Sequence, residues 1–354
     1  MLFDLPDDAT LYRALLDRDT AYDGRAWVGV RSTGVFCQLN CPARKPKPEN
    51  CTFFDSIAGC LEAGFRPCKR CKPLHARAWE ADYEPLLAAL DEDPTRRWVE
   101  GDIAALGYDP STVRRVFKRQ FGMTFLEMAR LTRLRESFEA LADGARVIDA
   151  QQAAGYESPA AFRAAFARHL GMPPSALRPE GRLKADWFET RLGPMIAVAD
   201  ATHLHLLEFI DRKALPAELR RLWSDAKGEL GAGRTAITDQ VEAELGRFFD
   251  GQSARFETPL AFHGASFARE VWQALTMIPP GETRTYGALA KSIGRPSATR
   301  AVARANGANQ LAILVPCHRV IGADGSLTGY GGGLWRKQEL LTLEARYREG
   351  GDRS

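Results

Sequence analysis

The cysteines are distributed unevenly: six of the seven fall between Cys37 and Cys71, and Cys317 stands alone. Within the cluster, Cys37-x3-Cys41 and Cys68-x2-Cys71 form two close pairs with 26 residues between them. Four thiolates at about 2.3 Å saturate tetrahedral Zn²⁺; one pair grips an edge of the tetrahedron and the other closes it. A disulfide framework does not suit a cytoplasmic chain of this size, so the cluster reads as a site for one zinc ion. Cys51 and Cys60, outside the pairs, read as small buried hydrophobes. Cys317, in Pro316-Cys317-His318-Arg319-Val320, reads as a candidate nucleophile. A thiol is mostly protonated at pH 7 and needs a base, and His318 is adjacent. Neighbours on a strand point to opposite faces, so this couple requires a turn or a helix start, which Pro316 favours. His75, His169, His203, His205 and His263 lack ligand spacing and are expected to be neither catalytic nor metal-bound. No organic cofactor is expected.

The surroundings of these cysteines are basic. Arg66, Lys69, Arg70, Lys72 and Arg77 occur in 63–79 without an acid, and Arg114, Arg115, Lys118 and Arg119 in 110–121 without an acid. Residues 283–323 hold six Lys or Arg and no Asp or Glu. Three basic blocks on a chain of net charge +3 point to several contacts with one polyanion, nucleic acid, rather than to three solvated faces. The chain is 354 residues long, 45% hydrophobic and 26% charged, enough for two or three domains with their own cores. No apolar run approaches the roughly 20 residues of a membrane span. The acidic N-terminus lacks the order of a signal peptide, so a cytoplasmic location without membrane contact is expected; the chain is also expected to be a monomer.

The middle of the chain repeats itself at an offset of 48 to 49 residues. Gly107-Tyr108 precedes Arg114-x2-Phe117-x-Arg119-x-Phe121-Gly122-Met123, and Gly155-Tyr156 precedes Arg163-x2-Phe166-x-Arg168-x-Leu170-Gly171-Met172. Each copy reads as helix, turn, then a short basic helix ending at Gly, which is helix-turn-helix grammar. Leu131, Leu134, Phe138 and Leu141 mark one amphipathic connector of about 18 residues, spanning about 27 Å. That is within reach of one turn of B-DNA, about 34 Å, so both basic helices can enter successive major grooves. Over about 98–178 the sequence resembles the AraC-type DNA-binding domain, with Arg114, Arg115, Lys118 and Arg163 as expected DNA contacts.

Two further resemblances follow. Arg-Pro-Cys-Lys-Arg-Cys at 66–71 and Thr-Gly-Val-Phe-Cys at 33–37 resemble the N-terminal domain of the Ada family. That resemblance implies methyl transfer from a DNA methylphosphotriester to Cys37, with Thr33, Arg44 and Arg66 contacting phosphate. Pro42, where some members carry a basic residue, departs from the pattern. Over about 262–346 the sequence resembles the O6-alkylguanine-DNA alkyltransferases. That implies Asn309, eight before Cys317, and Glu344, 27 after it, as parts of the catalytic set, Glu344 orienting His318. It implies that Tyr286 helps rotate the nucleotide and that Arg300 fills the gap left by the extruded base, with Arg304 one helical turn on. The glycine-rich run Gly329-Tyr330-Gly331-Gly332-Gly333 would let a flat base approach.

The expected fold is multidomain α+β. It comprises a four-cysteine zinc domain over 1–78, an all-α double helix-turn-helix domain over 82–180, and an α+β alkyltransferase domain over 185–346. The last is expected to join a small sheet of strands near Trp187, Met195 and His205 to a winged-helix-like helical subdomain. The three blocks in this order resemble the Ada family as a whole. The implied function is single-turnover transfer of methyl from O6-methylguanine, and from O4-methylthymine, to Cys317, and from phosphotriesters to zinc-bound Cys37. Methylation of Cys37 would convert the protein into a transcriptional activator. The expected partners are alkylated and promoter double-stranded DNA, with RNA polymerase as a further one. Two alternatives stay open: a zinc-containing AraC-type regulator that only binds damage, and a repair protein without transcriptional control.

Overall fold

The computed structural model describes residues 5–19, 22, 26–55, 59–60, 63–71, 73, 78–323 and 325–349. Lys72, His75 and Arg77 lie outside the described residues. The chain divides into two compact units, residues 1–89 and 90–354.

In the first unit, helix α1 (Asp8–Asp17) starts at Asp7, whose carboxylate accepts from the Thr10 amide at 3.0 Å. Strands β1 (Trp27–Val30), β2 (Val35–Gln38), β3 (Cys51–Phe54) and β4 (Arg66–Pro67) form a sheet in the order β3-β1-β2-β4. β1 is antiparallel to both neighbours, with Val28 opposite Cys37 and Val30 opposite Cys51. β4 runs parallel to β2, which carries Cys68 alongside Cys37. Gly29 is needed in β1 because a Cβ there would lie 2.7 Å from the Phe65 ring. Leu11, Leu15, Val28 and Leu39 share their small core with Cys37, Cys41 and Cys68. Cys51 and Cys60 are buried as well, at 6% and 0% exposure. Helix α2 (Ala78–Glu92) follows.

The second unit opens with the duplicated helices α3 (Glu100–Ala105), α4 (Pro110–Phe121), α5 (Phe125–Ala142), α6 (Val147–Ala153) and α7 (Pro159–Leu170). The two copies begin and end by the same chemistry. Asp109 caps α4 through the Thr112 amide at 2.7 Å, and Ser158 caps α7 through the Ala161 amide at 3.3 Å; each is followed by Pro. Each helix ends at a glycine with positive φ, Gly122 at 70° and Gly171 at 75°. The connector α5 has a reciprocal cap: Thr124 N donates to Glu127 at 2.7 Å, and Glu127 N to Thr124 at 3.1 Å. Its buried Arg133 donates to the carbonyls of Ala154 and Gly155 at 3.0 and 2.6 Å, tying the connector to the second turn.

Strands β5 (Leu183–Phe188), β6 (Met195–Ala199), β7 (Leu204–Phe209) and β8 (Leu230–Ala232) form the second sheet, in the order β7-β6-β5-β8. Three match the strands expected from sequence; β8 is an addition, parallel to β5. Both faces of this sheet are buried. Trp187, Ile196, Val198 and Leu206 pack with Leu134, Phe138, Phe166 and Leu170 of the duplicated helices. Met195, Ala197 and Phe209 face the other way, into a core with Val241 and Leu245 of α9 (Ala236–Phe249), Trp272 of α10 (Ser266–Thr276) and Cys317. Helix α8 (Leu215–Asp225) precedes β8. It packs on α7, and a Cβ on Gly171 would land on the Pro216 carbonyl. The remaining elements are β9 (Arg284–Thr285), α11 (Tyr286–Ser292), α12 (Thr299–Gly307), β10 (Val320–Ile321) and α13 (Leu334–Glu349). β10 runs parallel to β9. Beyond β7, Leu207 exchanges backbone hydrogen bonds with Gln310 and Ala312, both at 2.8 Å. That pairing draws the Asn309 turn to the sheet. Among the described residues, no helix is long and apolar enough to cross a membrane.

Candidate functional site

The first unit gathers Cys37, Cys41, Cys68 and Cys71 so that their sulfurs lie within 4.8 Å of one another. Cys41 and Cys68 approach to 3.9 Å. A tetrahedron with bonds of about 2.3 Å has edges of about 3.8 Å, so the donor set fits Zn²⁺ in both chemistry and spacing. Neighbouring Cys41 and Cys71 drive the Cys37 thiol up, with burial adding to it, the expected strain of clustered sulfurs that a divalent cation relieves. Thr33, Arg44, Arg66, Lys69 and Arg70 are all exposed in the same unit. Lys45, which sequence reasoning passed over, donates to the carbonyls of Leu39 and Cys41, both at 3.4 Å.

In the second unit the residues around Cys317 adopt a turn. Cys317–Arg319 form one turn of 3-10 helix behind Pro316. Asn309 Nδ2 donates to Cys317 Sγ at 3.1 Å and to the Val315 carbonyl at 2.9 Å. Cys317 is 6% exposed, and burial pushes the thiol up to about 11 against the lowering effect of Asn309. His318 and Glu344 are both fully buried, with Nε2 2.9 Å from Oε1. Burial raises the Glu344 carboxyl, but His318 and Arg319 outweigh it and bring it down to about 2. The carboxylate is therefore ionised, Nε2 carries the proton, and Nδ1 is the unprotonated nitrogen. Nδ1 is buried with no hydrogen-bond partner among the described residues. Burial also lowers His318, which keeps the ring neutral.

Several partners escaped sequence reasoning. Arg319 donates to both Glu344 oxygens at 2.7 and 2.8 Å, so the residue after the couple holds its carboxylate. Lys337 is wholly buried and donates to the Val320 and Thr328 carbonyls at 2.5 and 2.6 Å; burial lowers it to about 8. The glycines at 331 and 332 admit protein groups: added Cβ atoms would meet Arg212 at 2.8 Å and Phe209 at 2.9 Å. Tyr286 starts α11 and donates to the Thr328 carbonyl at 3.3 Å. Arg300 and Arg304 are exposed on α12, and Arg114, Arg115, Lys118 and Arg163 on α4 and α7. Of these, Arg114 pairs with Glu100, and Lys118 lies 3.8 Å from Glu127. His205 bridges His263 at 2.7 Å and Asp200 at 3.0 Å, a contact their spacing did not announce.

Family models match three stretches: the metal binding domain of Ada over residues 10–73, a helix-turn-helix domain over 103–180, and the DNA binding domain of 6-O-methylguanine DNA methyltransferase over 266–346. The regulatory protein Ada of Salmonella typhimurium is 36% identical over 340 residues, covering 94% of this chain and 95% of the relative. The bifunctional transcriptional activator/DNA repair enzyme Ada of Escherichia coli is 34% identical over 351 residues, 98% of each. The chain belongs to the Ada family. A methylated-DNA–protein-cysteine methyltransferase of Mycolicibacterium paratuberculosis is 59% identical over 112 residues, 32% of this chain and 67% of that one. This Ada-family chain is a DNA repair methyltransferase with a zinc-binding domain and a DNA-binding helix-turn-helix domain. The mixed α+β multidomain fold expected from sequence is the fold observed.

Proposed function

We propose that the protein reverses DNA alkylation at two cysteines, each acting once. Cys317 Sγ attacks the methyl carbon on O6 of guanine, or on O4 of thymine. The S–C bond forms as the C–O bond breaks, and the base keeps the electron pair and takes up a proton. The thiol proton passes to Nδ1 of His318, with Glu344 stabilising the cation that forms. The observation that carries this reading is the buried set Asn309–Cys317 and His318–Glu344, on one short turn and its neighbours. Tyr286 assists nucleotide rotation, and Arg300 and Arg304 face DNA, Arg300 filling the vacated stack.

Cys37, Cys41, Cys68 and Cys71 hold a single zinc ion, which keeps their sulfurs as thiolates at neutral pH. Cys37 Sγ accepts methyl from a backbone phosphotriester, leaving a phosphodiester anion that Thr33, Arg44 and Arg66 bind. Loss of one negative charge at Cys37 turns the protein into an activator that reads promoter DNA through Arg114, Arg115, Lys118 and Arg163. It works as a cytoplasmic monomer, with RNA polymerase as its further partner. The test is to incubate the full chain with DNA carrying labelled methyl groups and map the label by mass spectrometry. Label on Cys317 and Cys37 is the expected result. Tight binding without label on Cys317 would refute the transfer reading and favour a regulator that only senses damage.

A further inference from the structure

Two opposite charges sit in the wall behind the Cys317 sulfur. Glu208 lies in β7 and Arg212 four residues on, at 3% and 7% exposure. Arg212 donates to the Glu208 carboxylate, to the Asn309 carbonyl at 2.6 Å and to the Gly307 carbonyl at 2.9 Å; Glu218 is 3.4 Å away. Gly307 and Asn309 lie at the C-terminal end of α12, where unpaired carbonyls favour a cation. The guanidinium thus holds the backbone of the residue whose side chain touches the sulfur. Glu208, Arg212, Asn309 and Cys317 line one cavity of about 10 Å³. That is room for about one water, so solvent screens these charges little. Neither Glu208 nor Arg212 belongs to the nucleophile, base and carboxylate set.

We propose that Glu208 and Arg212 are positioning residues that tune Cys317. Arg212 anchors the Asn309 turn and turns a cation toward the sulfur, while Glu208 holds that cation and damps its effect. The proposal rests on Cys317 being the methyl acceptor. The other groups facing the sulfur are Lys337 on α13, which also favours the thiolate, and Tyr286 and Tyr330, whose hydroxyls burial holds protonated beyond their ordinary range. Opposite charges of the pair act on the thiol in opposite directions: Glu208 raises it and Arg212 lowers it.

The test titrates the Cys317 thiolate in the full zinc-loaded chain. Its ultraviolet absorbance is read as the difference between each protein and its Cys317→Ser counterpart. Glu208→Gln keeps the shape and removes the negative charge, so the midpoint falls by about one pH unit. Burial pushes the Glu208 carboxyl up to about 8, so its charge acts above that pH; there, at about pH 9, methyl transfer rises about threefold in Glu208→Gln, because a tenfold gain in thiolate is partly offset by lower nucleophilicity. Glu208→Gln with Arg212→Met removes both charges and leaves Glu218 with Arg221 as its remaining cation; its midpoint moves back up from that of Glu208→Gln. A purely structural pair would slow transfer without moving the midpoints apart. An unmoved midpoint in Glu208→Gln, or a double variant as low as Glu208→Gln, overturns the proposal. If the double variant does not fold, Glu208→Gln alone decides. A wild-type chain that takes no methyl from DNA refutes the transfer reading instead, and the titration still judges the pair.

Discussion

The carboxylate of Glu344 is shared: His318 Nε2 lies 2.9 Å from Oε1, and Arg319 donates to both oxygens. One acid therefore orients the His318 ring and neutralises a buried cation. Glu344→Ala strands Arg319, which is 5% exposed, so stability falls by about 3–5 kcal/mol, measured by denaturant unfolding. Methyl transfer slows as well. An unchanged unfolding midpoint would mean that Arg319 finds another partner.

The same pair sets a dependence on acid. Glu344 is depressed to about 2, so its contribution is complete above the ordinary carboxylate range and is lost as pH falls through about 2. His318 is also depressed, so the folded state binds fewer protons than the unfolded one and stability starts to fall below about pH 6.5. Stability measured from about pH 7 to about pH 4 declines, and His318→Gln flattens the early part of that slope. The slope in this variant matching wild type would contradict the assignment.

Chemistry and base extrusion separate by substrate. Cys317→Ala abolishes transfer from O6-methylguanine and leaves DNA affinity nearly intact, since it removes a nucleophile and no charge. His318→Ala slows transfer about 100-fold or more and is partly rescued at higher pH, where the thiol ionises unaided. Arg300→Ala slows repair of duplex DNA at least about tenfold while sparing the free base O6-benzylguanine, which needs no extrusion. Equal losses on both substrates would give Arg300 a different role.

The proposed zinc site predicts a structural role for the metal in the first unit. Cys68→Ala removes one of four ligands without touching the proposed acceptor, Cys37. Metal content falls from one equivalent, and circular dichroism shows the unit unfolding, because structural zinc supplies on the order of 10 kcal/mol. Full metal content in this variant would remove Cys68 from the ligand set.

Methylation of Cys37 removes one negative charge from a surface that must meet phosphates. Affinity for a promoter rises about 5- to 150-fold, and the gain shrinks with added salt because its origin is phosphate repulsion. Binding by proteins with Cys37 methylated or free, each with Cys317→Ala, measures it. Equal affinities would leave Cys37 as a repair acceptor only.

Local signals were legible where chemistry and spacing coincide. The paired cysteines announced a four-sulfur cluster, and the Gly-Tyr turns followed by basic segments ending at glycine announced the duplicated helices. The run Met195–Ala199 is apolar at every position, and the sheet is accordingly buried on both faces. Arg212, Arg319 and Lys337 were not legible, because their partners are mostly backbone carbonyls and carboxylates brought from distant segments.

What the sequence determined by itself is therefore the chemistry available and the local elements that carry it: sulfur donors at ligand spacing, a cysteine beside a histidine after proline, basic helices that stop at glycine. Those depend on interactions within a few residues. Only the tertiary structure decided which nitrogen of His318 is left free, since Glu344 arrives from α13 to claim the other. It also decided that the Cys317 thiol rests protonated, since burial outweighs the Asn309 hydrogen bond. Desolvation and long-range pairing exist once the chain has closed around the site, and no spacing along the sequence encodes their balance.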